Sequence, residues 1–221
     1  MTETLSSLGI TSGMITSLGI TIILCVIAIV AGRRLEMIPS GGQAAVELAI
    51  EKLRDFFEDL MGEYAGRKYL PLVATLFIYI LLCNYSGLLP LAGKLPGLAA
   101  PTSSVNFPLG LAIIVFMATQ VVGIKEHHGL RYYKHFFKPI AFIFPLMMIE
   151  EIVRPFSLTF RLYGNVYGEE TVVEQLFEMV PLGVPAVMQA LSILMGLIQA
   201  LVFSLLTGIY ISEAAETEET L

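Results

Sequence analysis

Charge is what this chain has least of. Only 14 % of its 221 residues are Asp, Glu, Lys or Arg, while 56 % are hydrophobic. A soluble globular domain carries roughly 25 % charged residues, so that shortage, with a mean hydropathy of +0.77, excludes a water-soluble fold. Cysteine is nearly missing too. Cys25 and Cys83 both lie in apolar runs, where a thiol behaves as a small hydrophobe, and no disulfide framework or metal site is expected. The opening MTETLSSLGITSGM has Glu3 but no lysine or arginine. It therefore lacks the positive start of a cleaved signal peptide, and the first apolar stretch is expected to remain as a membrane helix. No internal repeat is found, which disfavours transporters built from duplicated halves. A phosphate loop and a nucleophile constellation are missing as well, so the chain is expected to perform no covalent chemistry and to need no cofactor.

What is present is a set of apolar runs too long for strands. The expectation is an all-α integral membrane protein with about five membrane helices in a single membrane domain, 1–221. The runs fall at 14–31, 69–92, 106–124, 139–180 and 186–212. The second and third form a membrane hairpin. Arg33 and Arg34 close the first run, and the loop IKEHHGLRYYKHFFK carries Lys125, Arg131, Lys134 and Lys138. By the positive-inside rule both basic sites face the cytoplasm, which puts the N-terminus outside and the C-terminus inside. The loop at 93–105 has only Lys94 and faces outward. His127, His128 and His135 read as members of a solvated basic loop.

Between Arg34 and the second run, Val46, Ile50, Leu53, Phe57 and Leu60 recur at intervals of four and three among charged residues. The spacing predicts an amphipathic helix over 42–62 on the cytoplasmic surface or against a partner. The run at 139–180 would reach roughly 60 Å as a helix, twice the hydrocarbon thickness. Pro155 kinks it and Gly164 and Gly168 can bend it, but nothing in it compels a reversal, so a strongly tilted helix is expected. VPLGVP, from Val180 to Pro185, turns the chain back into a second tilted helix. The acidic tail 213–221, EAAETEETL, reads as solvated and disordered.

Glu150, Glu151, Arg154, Arg161, Asn165, Glu169 and Glu170 all lie within the first tilted helix. At about 100° per residue, Glu150 lies about 20° from Arg161 on one side, Arg154 about 20° on the other, and Asn165 about 40° away. Glu170 lies about 180° away, on the opposite face. In the last helix Gln189, Ser192, Gly196 and Gln199 share a face that could meet Arg161 and Asn165, where an amide can orient a guanidinium or hold water. Arg154 with Glu150 or Glu151 fits an internal ion pair at helical spacing. Arg161 has no acid three or four residues away, and arginine keeps its proton. It is either unpaired, facing water, or paired with a carboxylate from another chain. Titratable acids on both sides of a permanent cation describe an ion path with a gap, in which a moving acid visits both sides.

EEIVRPFSLTFRLYGN and LIQALVFSLLTGIYIS closely resemble subunit a of the rotary F-type ATP synthases, as do LPLVATLFIYILLCNYSGLLP and PTSSVNFPLGLA. The resemblance covers about residues 38–214. It implies that Arg161 faces the carboxylate of a rotor ring, Gln199 is its partner on the final helix, and Asn165 lines the outer half-channel. It also places Glu170 in that half-channel and Glu150 and Glu151 at the cytoplasmic exit. Asn84 falls in a stretch where it is expected to pack. Members often carry Ala-Gly before a single acid, whereas YGEE here lets Glu169 share or replace the role of Glu170. Where some members have a titratable group on the last helix, this chain has Ser192.

The resemblance further implies ring subunit c, peripheral-stalk subunit b, the rest of the ATP synthase complex and a lipid bilayer as partners, with no nucleic acid. The place it implies is the bacterial inner membrane, with the thylakoid membrane second, since Glu150-Glu151 is also similar to chloroplast members. The coupling ion is expected to be H⁺. The alternatives are Na⁺ in the same role, a proton-coupled transporter in which Arg161 binds an anion, and a scaffold whose charges are purely structural.

Overall fold

The computed structural model describes residues 12–33, 41–89, 99–126, 144–179 and 184–215, and among them six α-helices and one 3₁₀ turn form. They are α1 (Ser12–Arg33), α2 (Gly42–Met61), α3 (Glu63–Ser86), a 3₁₀ turn at Pro101–Ser103, α4 (Asn106–Glu126), α5 (Phe144–Met179) and α6 (Val184–Ala215). The protein is all-α, as hydrocarbon requires, because a helix satisfies its backbone hydrogen bonds within one segment. Four helices, α1, α3, α4 and α6, are long and apolar enough to cross a membrane. α5 is longer, at 36 residues or about 54 Å, but carries eight of the chain's charged groups along its length. The histidines of the basic loop, the turn at 180–183 and residues 216–221 lie outside the described residues.

α6 is the hub. It packs on α2, α3, α4 and α5, and the core gathers around it from Phe57 and Met61 of α2, Val73 and Ile80 of α3, Leu158 and Leu162 of α5, and its own Phe203 and Ile211. α3 and α4, expected as a hairpin, meet chiefly at particular points while each lies along other helices. Lys68 Nζ is 2.7 Å from Glu126, which also accepts hydrogen bonds from Tyr64 at 3.0 Å and Tyr69 at 2.6 Å. Tyr79 and Phe107 meet ring to ring at 5.9 Å. These contacts pair the start of α3 with the end of α4, so the two run antiparallel. α1 stands outermost, mostly exposed, touching α3 through Thr21 and Tyr79 and the 3₁₀ region through Thr16, whose hydroxyl accepts from the Ala99 amide at 3.2 Å.

α2 turns directly into α3 through one residue. Gly62 has φ 78, a left-handed conformation that costs glycine nothing. The tight turn brings the two helices so close that a Cβ on Gly66 would sit 2.7 Å from Glu58 Cα. The far side of α2 then docks on the end of α6, where Ser212 Oγ donates to the Met61 carbonyl at 2.7 Å and Met61 lies against Gly208. The final helix also runs further than its apolar pattern suggests. It continues through Ala215, so Glu213, expected in the disordered tail, is helical.

Gly66→Ala should force α2 and α3 apart and destabilise the protein by about 1–3 kcal/mol. Gly110→Ala, where a Cβ meets nothing within 4 Å, should be neutral. Thermal unfolding of the detergent-purified protein reads both, and an unchanged midpoint for Gly66→Ala would show that the crossing is looser than described.

Candidate functional site

α5 and α6 lie antiparallel, and their shared seam carries three polar stations. At one end Arg154 of α5 reaches Glu213 of α6, Nη1 to carboxylate oxygen 2.9 Å. In the middle Asn165 Nδ2 donates to Gln199 Oε1. At the other end the Ser192 hydroxyl faces the Glu169 carboxylate. The helical rise separates Arg154 from Asn165 by about 16 Å and Asn165 from Glu169 by about 6 Å.

The first station is crowded with charge. Arg154 Nη2 lies 3.0 Å from Glu150, and Nη1 lies 3.9 Å from Glu151. Its guanidinium also rests on the Tyr210 ring, 4.7 Å from the centroid. Glu151 is the most enclosed of the three acids, with its side chain 15 % exposed against 62 % for Glu150 and 50 % for Glu213. Gln120 Nε2 of α4 donates to Glu151, so three helices meet here, around a narrow cleft lined by Thr119, Glu151, Arg154 and Tyr210. Pro155 adds a backbone feature. Having no N–H, it leaves the Glu151 carbonyl without its helical donor.

Between the stations stands Arg161. It is exposed, and among the described residues no carboxylate lies within ion-pair distance of it. One turn away on its own helix the exposed neighbours include Ser157 and Gly164, and Phe160 of α5 and Leu194 and Ile198 of α6 are exposed apolar residues elsewhere on the two helices. Gln199, expected to orient the guanidinium, instead accepts from Asn165. Gln199 is 3 % exposed, and its Nε2 has no hydrogen-bond partner among the described residues. Nothing from Gln199 therefore reaches Arg161 as a hydrogen bond.

The outer station divides its two acids. Glu169 turns to α6 and Ser192, while Glu170 Oε1 lies beside Gly87, 3.4 Å from where a Cβ would stand. The neighbouring residues thus leave the helix on different sides, one against α6 and one against the end of α3. α3 in turn grips α6. Asn84, 7 % exposed, donates to the Gly196 carbonyl at 3.1 Å, Tyr85 donates to the Ile193 carbonyl at 3.1 Å, and Gln189 donates to the Leu88 carbonyl at 3.2 Å. A Cβ on Gly196 would come 3.3 Å from the Tyr85 ring, so glycine permits this approach.

The polar stripe expected on α6 is therefore split. Gln189 and Gly196 serve α3, whereas Ser192 and Gln199 serve α5. Sequence reasoning missed Glu213, Gln120 and Tyr210. A signal for Glu213 existed: steps of seven from Ser192 pass through Gln199 and arrive at Glu213 on nearly the same face, drifting about 20° each. The acidic composition of the tail masked it.

A family model described as the ATP synthase A chain matches residues 14–212. The ATP synthase subunit a of Trichlorobacter lovleyi is 43 % identical over 201 residues, spanning 89 % of this chain and 84 % of that protein. That of Moorella thermoacetica is 45 % identical over 183 residues, spanning 82 % and 80 %.

The Asn165–Gln199 bond makes a direct test of the seam. Gln199→Leu or Asn165→Leu alone orphans a polar partner and should cost about 1–3 kcal/mol. The double variant should cost less than the sum, giving a coupling of about 0.5–3 kcal/mol in thermal unfolding. Strict additivity would show that the two amides do not meet.

Proposed function

Because the chain belongs to the ATP synthase A chain family, we propose that it is the stator subunit that leads H⁺ to and from a rotor-ring carboxylate, coupling ion flow to rotation. The observation that carries this reading is the isolation of Arg161. It is a permanent cation at an exposed position, with acids at both ends of the same helix pair and no ion-pair partner among the described residues. A carboxylate carried past by a second, apolar-surfaced partner meets both needs. It matches the guanidinium electrostatically, and its apolar body covers exposed apolar side chains of the two helices such as Phe160, Leu194 and Ile198.

The path follows from the stations. Protons enter beside Glu169, Glu170, Ser192 and Asn165 and neutralise the ring carboxylate, which can then face lipid. After rotation the carboxylate reaches the side of Glu150 and Glu151 and releases its proton there. A bare proton cannot pass directly between the two clefts, because the fixed charge of Arg161 raises the local positive potential. The chain itself forms no covalent bond, and ATP synthesis falls to other subunits of the complex.

The chain is a multi-pass bacterial membrane protein. Arg33 and Lys125 mark the cytoplasmic ends of α1 and α4, which supports an outside N-terminus and a cytoplasmic C-terminus. α2 then lies at the cytoplasmic surface, since Met61 meets Ser212 near the end of α6. Ring subunit c is the partner for the Arg161 face, and peripheral-stalk subunit b is a partner for the exposed outer helices.

Arg161→Ala should leave the complex assembled and abolish proton-driven ATP synthesis in proteoliposomes; coupled synthesis at the original rate would sink the proposal. Glu169→Gln with Glu170→Gln should slow ion entry more than either change alone. ATP hydrolysis by the complex should be indifferent to added Na⁺, and a Na⁺ requirement would assign Na⁺ as the coupling ion.

A further inference from the structure

Arg154 has two ends, and different helices hold them. Nη2 lies 3.0 Å from Glu150 on its own helix, and Nη1 lies 2.9 Å from Glu213 on α6. Glu151 is left at 3.9 Å, beyond hydrogen-bond range. Its other oxygen accepts from Gln120. Tyr210, one turn before Glu213, fixes the guanidinium plane from below. The groups facing Glu151 are thus Gln120 from α4, Glu150 and Arg154 from α5, and Tyr210 and Glu213 from α6.

A guanidinium has five donors in a fixed fork. Each N–H of that fork points in one fixed direction, so the guanidinium that reaches Glu213 at 2.9 Å stands off Glu151 at 3.9 Å. Glu151 is the enclosed acid of the cluster, so a direct charge-assisted bond to Arg154 would hold its carboxylate strongly. We propose that Glu213 is a positioning residue of the cytoplasmic half-path: by occupying Nη1 it keeps Glu151 out of a tight ion pair, so that Glu151 remains able to exchange protons. The same contact ties α6 to α5 at the cytoplasmic end, which links this acid's freedom to the seam that carries Gln199. The inference rests on the ion-path reading above and assigns a role to a residue outside it.

The experiment is ATP-driven proton pumping by the whole complex in proteoliposomes, followed over a pH series, because pumping in this direction loads protons from the cytoplasmic side. In Glu213→Gln, Nη1 closes on Glu151, loading needs more protons, and the alkaline limb of the profile moves to lower pH by roughly one unit, tenfold in proton concentration. Glu213→Asp restores the limb. In an Arg154→Gln background Glu213→Gln gives no shift, because the group it acts through is gone. If Glu213→Gln does not assemble, Glu213→Ser, which leaves room for water, reads the same shift. A profile that only falls in amplitude, equally at all pH, or that stays unchanged, overturns the inference. Arg161→Ala in the same assay separates the two readings. Pumping that survives there removes the ion-path proposal, whereas a silent Arg161→Ala beside an unshifted Glu213→Gln removes only this one.

Discussion

A guanidinium cannot discard its charge, and Arg161 holds one at an exposed position midway along the α5–α6 pair. The rest of the polar architecture keeps that charge from being cancelled within the chain. Glu150, Glu151 and Glu213 are gathered by Arg154 at one end. Glu169 is turned toward Ser192 and Glu170 toward the end of α3. Asn165 and Gln199, the polar groups nearest along the seam, bind each other. The ion pairs described on this helix pair form at one end, around Arg154, and none of them forms in the middle. That segregation is the physical content of the site. A neutralised Arg161 would be an inert ion pair, and an arginine with free acids one turn away would become one.

Such segregation needs two helices in a fixed register, and the backbone supplies it. α6 lies among α2, α3, α4 and α5, so it cannot slide without breaking contacts on several sides. Gly196 lets Asn84 and Tyr85 approach its backbone, and Ser212 ties its far end to Met61. With α6 held, the antiparallel pairs Arg154–Glu213, Asn165–Gln199 and Glu169–Ser192 fall in step. Pro155 removes one backbone hydrogen bond beside the acidic cluster, yet α5 runs on through it from Phe144 to Met179. The constraint on the chemistry is therefore a packing constraint first.

Much of the site was legible because it lies on single helices. The angular relation of Glu150, Arg154, Arg161, Asn165 and Glu170 follows from helical geometry, and so does the i, i+4 pair of Arg154 with Glu150. A polar stripe on the last helix was legible for the same reason. Which neighbour each member of that stripe serves was not. Gln189 and Gly196 face α3 while Ser192 and Gln199 face α5, because residues three or four apart differ by 40–60° around the axis and two helices divide that arc. Lys68 with Glu126 and Gln120 with Glu151 were equally hidden, since each joins residues from different helices. Glu213 was hidden for another reason: acidic composition reads as solvent, yet the helix runs on to Ala215 and Glu213 meets Arg154 across the seam.

The amino-acid sequence alone determined that this chain lives in a membrane, that it is helical, and that one helix carries an arginine with no acid within a turn. Those properties follow from composition and from periodicity along one segment, which need no knowledge of neighbours. Only the tertiary structure decided which acids Arg154 absorbs, that Gln199 answers Asn165 and makes no hydrogen bond to Arg161, and that the two outer glutamates part company. Those outcomes depend on where helices from distant parts of the chain come to rest. Side-chain partners across a seam are set by register and rotation, and both are fixed by packing around α6.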